Sequence, residues 1–534
     1  MRQGWMGRRE LARLIGLGGA AIAAGLPNHV HAQARRGTLV LGIDISDTIS
    51  LDPARMAQYT PPMTLNAAYG SLVTFETGDY INVKPSLAES WARTADGKAI
   101  RFKLREAKFS TGNPVTADDV KWTLDRVKNL KDQPALYIAN VERIEVVDPR
   151  TVDLYLKEPN EPVLGQIASP TNGILERKVV EAQGGTSAAD ANTTDKATAW
   201  LNENSAGAGA YRLAGWQRNV QIQLVRNPHF WKGMPGFERI MIRHMSESAA
   251  QLLAVQRGDI DAAFNLIPEQ VATLKGQPGL RTERMVSLDF VYLGLTHSAE
   301  LNKALAVKEA RQAIGAAIDF DGIRDSLLGG SATRCASFFP VGMRGSTEQT
   351  TREIGYQQNL DRARMLLQKA GFPDGFEFEV SYGNAAVNGL SYGVLAQKLQ
   401  GDLSRVGIRL KLNPMDQVNL RTQYTTAKST AVITFWNPAG IEQDFWAKSS
   451  IDRVATRLRW DVPADLRQLV RDAILEQDKE KQLAMWIEYQ KRMVDTANLM
   501  VLFQPIYQTV VRDTVPTFPL TAAGMQVELQ HARP

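Results

Sequence analysis

Residues 69–127 read YGSLVTFETGDYINVKPSLAESWARTADGKAIRFKLREAKFSTGNPVTADDVKWTLDRV, and the pattern of this stretch sets the class of fold. AIRFKL, at residues 99–104, alternates apolar and polar side chains, which is typical of a strand with one buried face. TADDVKWTLDRVK begins at Thr116, and Asp119 three residues later is an acidic variant of the capping box, so we predict that a helix begins here. Strand and helix alternating over so short a distance indicate an α/β protein.

The same two patterns recur along the rest of the chain. Further strands are predicted by alternation or by short apolar runs, at residues 38–45, 143–147, 151–156, 220–225, 239–244, 376–382, 408–412 and 431–434. LDRARMLLQKAG, at residues 360–371, predicts a helix that closes on Gly371 as its C′ glycine. We therefore expect mixed sheets, and about 500 residues are too many for one core, so we expect at least two lobes. The small, polar run at 184–209 is interpreted as a surface loop or a connection between lobes.

Residues 1–34 have the features of an export signal. A basic region with four arginines precedes an apolar run of thirteen residues, 14–26, which is shorter than the roughly 20 residues that a membrane span needs. An A-x-A site ends at Ala34. The pair Arg8-Arg9 resembles a twin-arginine signal, but Gly7 stands where Ser or Thr is usual, so the Sec route is the alternative. We expect cleavage near Ala34 and a mature protein in the periplasm.

Charge and cysteine content narrow the class of protein. Removing residues 1–34 lowers the net charge from +5 to +2, which leaves no electrostatic basis for binding nucleic acid. The single cysteine, Cys335, has no partner for an intrachain disulfide, and no cysteine follows the apolar run to accept a lipid. We expect a freely soluble protein that does not bind nucleic acid.

The sequence contains no G-x-S-x-G elbow, no P-loop and no H-E-x-x-H motif. Its six histidines are scattered, which does not predict a metal site. We therefore predict no catalytic residue, no metal site and no cofactor. Carboxylates are too numerous for any pair to stand out, so a periplasmic hydrolase of peptides or glycans is kept as the rival class.

Six blocks of sequence point to a family. The stretch at 69–127 carries P-x-L-A-E-S-W, F-x-L-R-x-x-x-F-S-x-G and T-A-x-D-V, and five more blocks follow in order at 144–159, 211–235, 252–264, 307–323 and 363–380. Together they resemble the bacterial extracellular solute-binding proteins of family 5, the peptide, oligopeptide and nickel binders of ABC importers. The resemblance implies a monomer that binds a short peptide or a peptide-like solute and delivers it to a membrane permease. A nickel chelate, an opine or a sugar is the alternative cargo.

The resemblance also implies a two-lobed, type II periplasmic binding fold with an extra subdomain. The expected division is a lobe I core at 36–70, 205–288 and 500–534, the extra subdomain at 71–204, and lobe II at 289–499. Ligands in such proteins lie between the lobes, which close over them by a hinge motion.

One wall of the ligand site is expected in FWNPAGIEQDFW, at residues 435–446, where four of twelve residues are aromatic. The resemblance implies that Trp436 stacks on the ligand beside Asn437, with core packing as the alternative for Trp436. Asp444 or Glu442 would anchor an amine, with a solvated loop charge as the alternative. The family's frequent D-x-P-D pattern is altered here to Glu442-Gln443-Asp444, so the resemblance does not establish a free peptide N-terminus.

The opposite wall is expected after Leu51-Asp52-Pro53, where Gln58 and Tyr59 would face the ligand. Arg55 is either a receptor for a carboxylate or an exposed side chain.

A third loop, GAGAYR at 207–212, departs from the family's frequent G-T-G-P-Y because Ala208 and Ala210 replace Thr and Pro. We expect the loop to keep its path through Gly207 and Gly209.

Overall fold

The computed structural model describes residues 37–56, 60–158, 163–436, 443–522 and 526–534. The predicted export signal lies outside these ranges. Within them, no helix is both long enough and apolar enough to cross a membrane.

The strands are numbered β1 to β22 in chain order. They are Thr38–Ile43, Val73–Glu76, Asp79–Pro85, Ala88–Arg93, Ala99–Leu104, Val141–Asp148, Thr151–Leu156, Tyr211–Gln217, Gln221–Arg226, Arg239–His244, Ala262–Ala263, Leu280–Val286, Phe290–Leu295, Ala332–Thr333, Glu377–Gly383, Ala386–Val387, Leu390–Ser391, Arg409–Met415, Ala431–Trp436, Leu499–Arg512, Leu520–Thr521 and Gln526–Val527.

The α-helices are Pro61–Ala68, Ala117–Leu130, Leu164–Ile167, Arg177–Glu181, Ala191–Thr194, Thr198–Leu201, Ser248–Arg257, Pro268–Thr273, Lys308–Ala317, Phe320–Gly322, Glu348–Ile354, Leu360–Lys369, Tyr392–Ser404, Gln417–Thr425, Gln443–Ser449, Ala455–Arg457, Ala464–Leu475 and Lys479–Thr496. Short 3-10 helices are Pro53–Arg55, Gln133–Ile138 and Pro170–Asn172, and π-helical turns are Ile323–Leu327 and Ser450–Val454.

Twelve strands form one large sheet, in the order β18-β15-β19-β13-β20-β11-β1-β10-β9-β8, with β12 and β14 also paired to β20. Strand β1 runs parallel to β10 and β11, and β15 runs parallel to β18 and β19. Strand β20 is antiparallel to β11, β12 and β13. The prediction of an α/β fold with mixed sheets is therefore confirmed.

The two lobes share strand β20. Its N-terminal part pairs with β13 and its C-terminal part pairs with β11, so one strand completes both halves of the sheet. Where the halves meet, the buried amide of Gln504 donates to the backbone carbonyls of Ser287, at 2.5 Å, and Val341, at 2.8 Å. We call the lobe that contains β1 lobe I and the lobe that contains β13 lobe II.

A four-stranded antiparallel sheet, β4-β5-β7-β6, stands beside the large sheet and packs against the helix Ala117–Leu130. In β5, Ile100, Phe102 and Leu104 are buried, whereas the residues between them are exposed. The side chain of Thr116 accepts from the backbone of Asp119, whose carboxylate accepts in return from the backbone of Thr116, so the predicted capping box is confirmed.

Both faces of lobe II's sheet are covered by buried side chains. Successive side chains of a strand point to opposite faces, so neighbouring residues of β13 belong to different clusters. Val291 and Leu293 belong to the cluster on one face, whereas Phe290 and Tyr292 belong to an aromatic-rich cluster on the other. Trp436, the last residue of β19, lies on the aromatic-rich face.

Residues 184–209 are only in part the surface loop that their composition predicts, and the alternative of a connection between lobes stays a prediction. The segment forms two short helices, Ala191–Thr194 and Thr198–Leu201, and its small side chains Ala197, Ala206 and Ala208 are buried. A composition rich in small residues suggested a loop. Small side chains also let the backbone approach its neighbours closely, and part of this segment is packed in that way.

Candidate functional site

Two of the predicted site residues lie on either side of residues 437–442. Trp436 ends β19, and Asp444 lies in the first turn of the helix Gln443–Ser449. The other four fall outside the described residues, and their assignments stay predictions: Gln58, Tyr59, Asn437 and Glu442.

The indole ring of Trp436 packs into an aromatic cluster. Its centroid lies 4.8 Å from that of Phe338 and 6.3 Å from that of Trp446, and the residue is only 7% exposed. Most of the indole ring of Trp436 is therefore packed in the core, as the alternative interpretation of this residue expected. Its Nε1–H is nevertheless buried and has no hydrogen-bond acceptor in the described structure. An unmet buried donor costs about 1–3 kcal/mol, so this group is available to a ligand that brings an acceptor.

Asp444 is an acid in surroundings that disfavour its charge. Burial raises the pKa of its carboxyl from 3.8 to about 7, while the positive charge of Lys479 opposes the rise. No residue in the described ranges donates a hydrogen bond to the carboxylate or forms an ion pair with it. The neighbouring Gln443 is fixed, because its Nε2 donates to the carbonyl of Arg344 at 2.6 Å. A cationic group placed against Asp444 would offset the desolvation by a charge-assisted hydrogen bond.

On the side of lobe I, a buried ion-pair network holds the loop that follows β1. Arg126 donates to both carboxylate oxygens of Asp52, at 2.9 and 2.7 Å, and to both oxygens of Asp195, at 2.8 and 3.0 Å. Thr198 donates to Asp52 at 2.8 Å. Burial, the largest single effect, would raise the pKa of Asp52, but the positive charge of Arg126 and the hydrogen bonds from Arg126, Thr198 and the backbone of Ala54 together lower that pKa. The network fixes the backbone immediately before residues 57–59, where the predicted wall residues lie.

Arg55 is occupied within the protein. Its Nη1 pairs with the carboxylate of Asp132 at 2.8 Å, and its Nε donates to Thr198 at 2.8 Å. The carboxylate that Arg55 binds therefore belongs to Asp132, and the side chain is half-buried and not exposed as the alternative expected.

The glycines of the GAGA loop lie against another backbone, while the expectation that the loop follows the family's path stays a prediction. A Cβ on Gly207 would lie 2.2 Å from the carbonyl oxygen of Ala68, and one on Gly209 would lie 2.3 Å from that of Ala67. Ala208, which replaces the family's Thr, is fully buried. It lies in the core that covers the four-stranded sheet.

The two lobes touch through aromatic rings near Asp444. Tyr137, in the 3-10 helix that precedes β6, lies with its ring centroid 6.1 Å from that of Phe445, and the rings meet edge to face at 69°. Arg453, in the π-helical turn that follows, places its guanidinium carbon 5.9 Å from the centroid of Trp436.

Sequence reasoning missed Tyr137 and Arg453. No motif contains either residue, and no local periodicity connects a residue near 137 with one near 445. Only the aromatic density of residues 435–446, which includes Phe445, pointed to this region. The described groups at the contact are an acid, a base and several rings, an arrangement suited to holding a solute that carries charge and apolar surface.

Comparisons with known proteins find related sequences and similar folds. Residues 82–449 match the family described as bacterial extracellular solute-binding proteins, family 5 Middle. The chain is 28% identical over 498 residues to the probable D,D-dipeptide-binding periplasmic protein DdpA of Escherichia coli (strain K12), an alignment that covers 91% of this chain and 92% of that protein.

Solved structures of similar fold include DppA, an ABC transporter-associated periplasmic binding protein from Helicobacter pylori, in complex with the peptide STSA. The TM-score is 0.75 at 20% identity, covering 94% of this chain and 99% of that one. They also include the periplasmic binding protein AgaA in complex with agropinic acid from A. tumefaciens R10, with a TM-score of 0.74 at 22% identity, covering 92% and 97%. The expected two-lobed periplasmic binding fold is thus confirmed.

Proposed function

The chain belongs to family 5 of the bacterial extracellular solute-binding proteins, and on that premise we propose that it captures a short peptide between its lobes and delivers it to the permease of an ABC importer. The single observation that best supports a site between the lobes is the contact of Tyr137 with Phe445, directly beside Asp444. A solute held there touches both lobes, so its binding favours the closed arrangement, and a permease can respond to the difference.

A dipeptide is the first cargo to test. One relative that aligns over 91% of the chain is a probable D,D-dipeptide-binding protein, so dipeptides of both stereochemistries form the starting set. A non-peptide cargo is the second candidate, and the structural likeness to a protein in complex with agropinic acid favours an opine among such compounds.

Each site residue has a proposed role. Asp444 anchors the ammonium group, since a cation offsets the burial that raises its pKa to about 7. Trp436 presents its ring edge and its Nε1–H, Asn437 is proposed to contact the ligand from the same wall, and Glu442 is the alternative amine anchor. Gln58 and Tyr59 line the opposite wall, after the loop that Asp52 and Arg126 fix.

The protein is proposed to act as a monomer in the periplasm, exported by the signal in residues 1–34. The proposed division of the chain is a lobe I core at 36–70, 205–288 and 500–534, a subdomain at 71–204 and lobe II at 289–499. Its protein partners are the permease subunits in the inner membrane.

Native mass spectrometry of mature protein, taken gently from the periplasm, tests the proposal. The expected result is an added mass equal to that of a short peptide, which calorimetry then reproduces as one-to-one binding of the synthetic compound. An added mass of another kind keeps the import function and discards peptides. Steady turnover of the compound by pure protein would instead support the rival class, a periplasmic hydrolase.

A further inference from the structure

Arg453 is a positive charge without a negative partner at the contact between the lobes. Its guanidinium is half-buried, and in the described structure it forms no ion pair with a carboxylate and donates no hydrogen bond. Burial lowers its pKa, the nearby positive charge of Arg457 lowers it further, and Tyr137 opposes both. Unpaired, desolvated charge is costly, and the fully buried Arg126, by contrast, is paired with two carboxylates.

The backbone around Arg453 departs from a regular α-helix. Arg453 lies in the π-helical turn Ser450–Val454, which interrupts the helical segment between Ser449 and Ala455. The adjacent acid, Asp452, is exposed and pairs with Arg467 at 2.8 Å instead. Single π-helical turns within helices are often found at functional sites, because they redirect the side chains that follow.

A second donor without an acceptor lies next to Arg453. The guanidinium carbon is 5.9 Å from the ring centroid of Trp436, the residue whose buried Nε1–H has no acceptor among the described residues. A guanidinium and an indole N–H are both donors only, so neither satisfies the other. Neither donor has an oxygen atom among the described residues that accepts its hydrogen bond.

The position lies where both lobes meet. Phe445 of lobe II touches the ring of Tyr137, and the charge of Arg453 in turn acts on the hydroxyl of that tyrosine and opposes the rise that burial causes in its pKa. A ligand group that reaches Arg453 is therefore within reach of the opposite wall as well.

We propose that Arg453 is the receptor for a carboxylate of the ligand, with the indole N–H of Trp436 as a second donor. This inference rests on the proposed function and specifies its chemistry: the solute carries an anionic group at one end and, through Asp444, a cationic group elsewhere. A planar guanidinium matches a carboxylate by two parallel hydrogen bonds, which makes the pairing selective as well as strong. A free peptide C-terminus supplies that group, and so does the acid group of an opine.

The test compares free acids with amides. Ala-Ala and D-Ala-D-Ala, each as the free acid and as the C-terminal amide, are titrated calorimetrically into wild-type protein, Arg453→Gln, Arg453→Lys and Arg457→Gln. Arg457→Gln is the matched control, because it removes the same charge one turn later from a guanidinium that lies over the ring of Tyr424, 5.2 Å away. Ligand-free melting temperatures of all variants establish that each one folds.

The expected result is that wild-type protein and Arg457→Gln bind a free acid at least about tenfold more tightly than its amide. Arg453→Gln should lose that preference by weakening only the acid, and Arg453→Lys should keep part of it. Equal preference in Arg453→Gln and wild type overturns the role of Arg453 and leaves the peptide function intact.

A second probe, agropinic acid, distinguishes failure of the peptide function from failure of Arg453 as the carboxylate receptor. If no peptide binds but agropinic acid does, and Arg453→Gln abolishes that binding while Arg457→Gln keeps it, then the peptide function fails and the carboxylate receptor stands. Agropinic acid bound equally by wild type and Arg453→Gln overturns the receptor. If none of these compounds binds wild-type protein, both proposals are rejected.

Discussion

Arg126 and Asp52 form an ion pair with two hydrogen bonds, and neither side chain is exposed to solvent. The pair joins the helix of the four-stranded sheet to the loop that follows β1, so it fastens the additional sheet to lobe I. Because Asp195 shares the same guanidinium, removing the arginine leaves two buried carboxylates without a positively charged partner.

Arg126→Met should lower the free energy of unfolding by about 3–5 kcal/mol, the usual effect of breaking a buried ion pair on one side. Urea denaturation monitored by tryptophan fluorescence measures it. Arg143→Met is the control, because Arg143 is half-exposed and pairs with acids at the surface, where ion pairs contribute about 0–1 kcal/mol. Equal losses in the two variants would mean that the buried network does not stabilise the fold.

Trp436→Phe keeps most of the ring and removes the Nε1–H. Since that donor has no acceptor in the described structure, we expect little loss of stability, within about 1 kcal/mol, but weaker binding of the ligand. Trp436→Ala should also destabilise the fold by about 3–5 kcal/mol, because it opens a cavity in the aromatic cluster.

Trp486→Phe is the matched control for Trp436→Phe. Trp486 belongs to the same buried cluster, with its ring 5.5 Å from that of Phe339, so its substitution should affect stability alone. Calorimetric titration and thermal melting separate the two effects. Unchanged affinity in both Trp436 variants would remove this residue from the site.

Asp444 should make ligand-free protein less stable as the pH rises. The folded pKa of about 7 lies above the unfolded value near 3.8, so between these two the folded state holds a proton that the unfolded state has released. The contribution of Asp444 to the free energy of unfolding is therefore full below about pH 4, falls as the pH rises towards 7 and stays low above it.

Asp444→Asn should remove this slope and stabilise ligand-free protein at pH 8 by about 1–3 kcal/mol, with no gain at pH 4. Chemical denaturation at both pH values measures the change, and Asp461→Asn, at an exposed acid, serves as the control. The same variant should bind a cationic peptide at least about tenfold more weakly. A stabilised variant with wild-type affinity would contradict the proposed role as the amine anchor.

Gly207→Ala should destabilise the protein by about 2 kcal/mol or more, because its Cβ would lie 2.2 Å from a backbone oxygen of Ala68 and one of the two chains must shift. Gly401→Ala is the opposite case. This glycine lies within the helix Tyr392–Ser404 with no atom within 4 Å of an added Cβ, so alanine should stabilise by up to about 1 kcal/mol. Melting temperatures that shift in the same direction would refute the close approach.

The strands could be predicted because apolar and polar side chains alternate along a strand that buries only one face. AIRFKL shows this: Phe102 and Leu104 are buried, and Arg101 and Lys103 are exposed. Helix ends were equally local, since the cap at Thr116 and the glycine after Ala370 each act over a few residues.

The candidate site could be predicted only in part, because its remaining members meet through tertiary structure. Tyr137 and Phe445 touch across more than three hundred residues of chain, and Arg453 matters because it has no carboxylate partner in the described part of the chain, which no sequence pattern reveals. The run at 184–209 misled for another reason. Alanine is too small to signal burial, yet Ala197, Ala206 and Ala208 are buried.

Strand β20 also sets the moment at which the protein can finish folding. The pairings that complete the large sheet on both sides involve residues 499–512, which are synthesised after every other strand of that sheet. A nascent chain that has emerged only as far as lobe II lacks the strand between β13 and β11, so neither half of its sheet is whole. The order of synthesis thus keeps both halves of the large sheet unfinished until residues 499–512 have emerged.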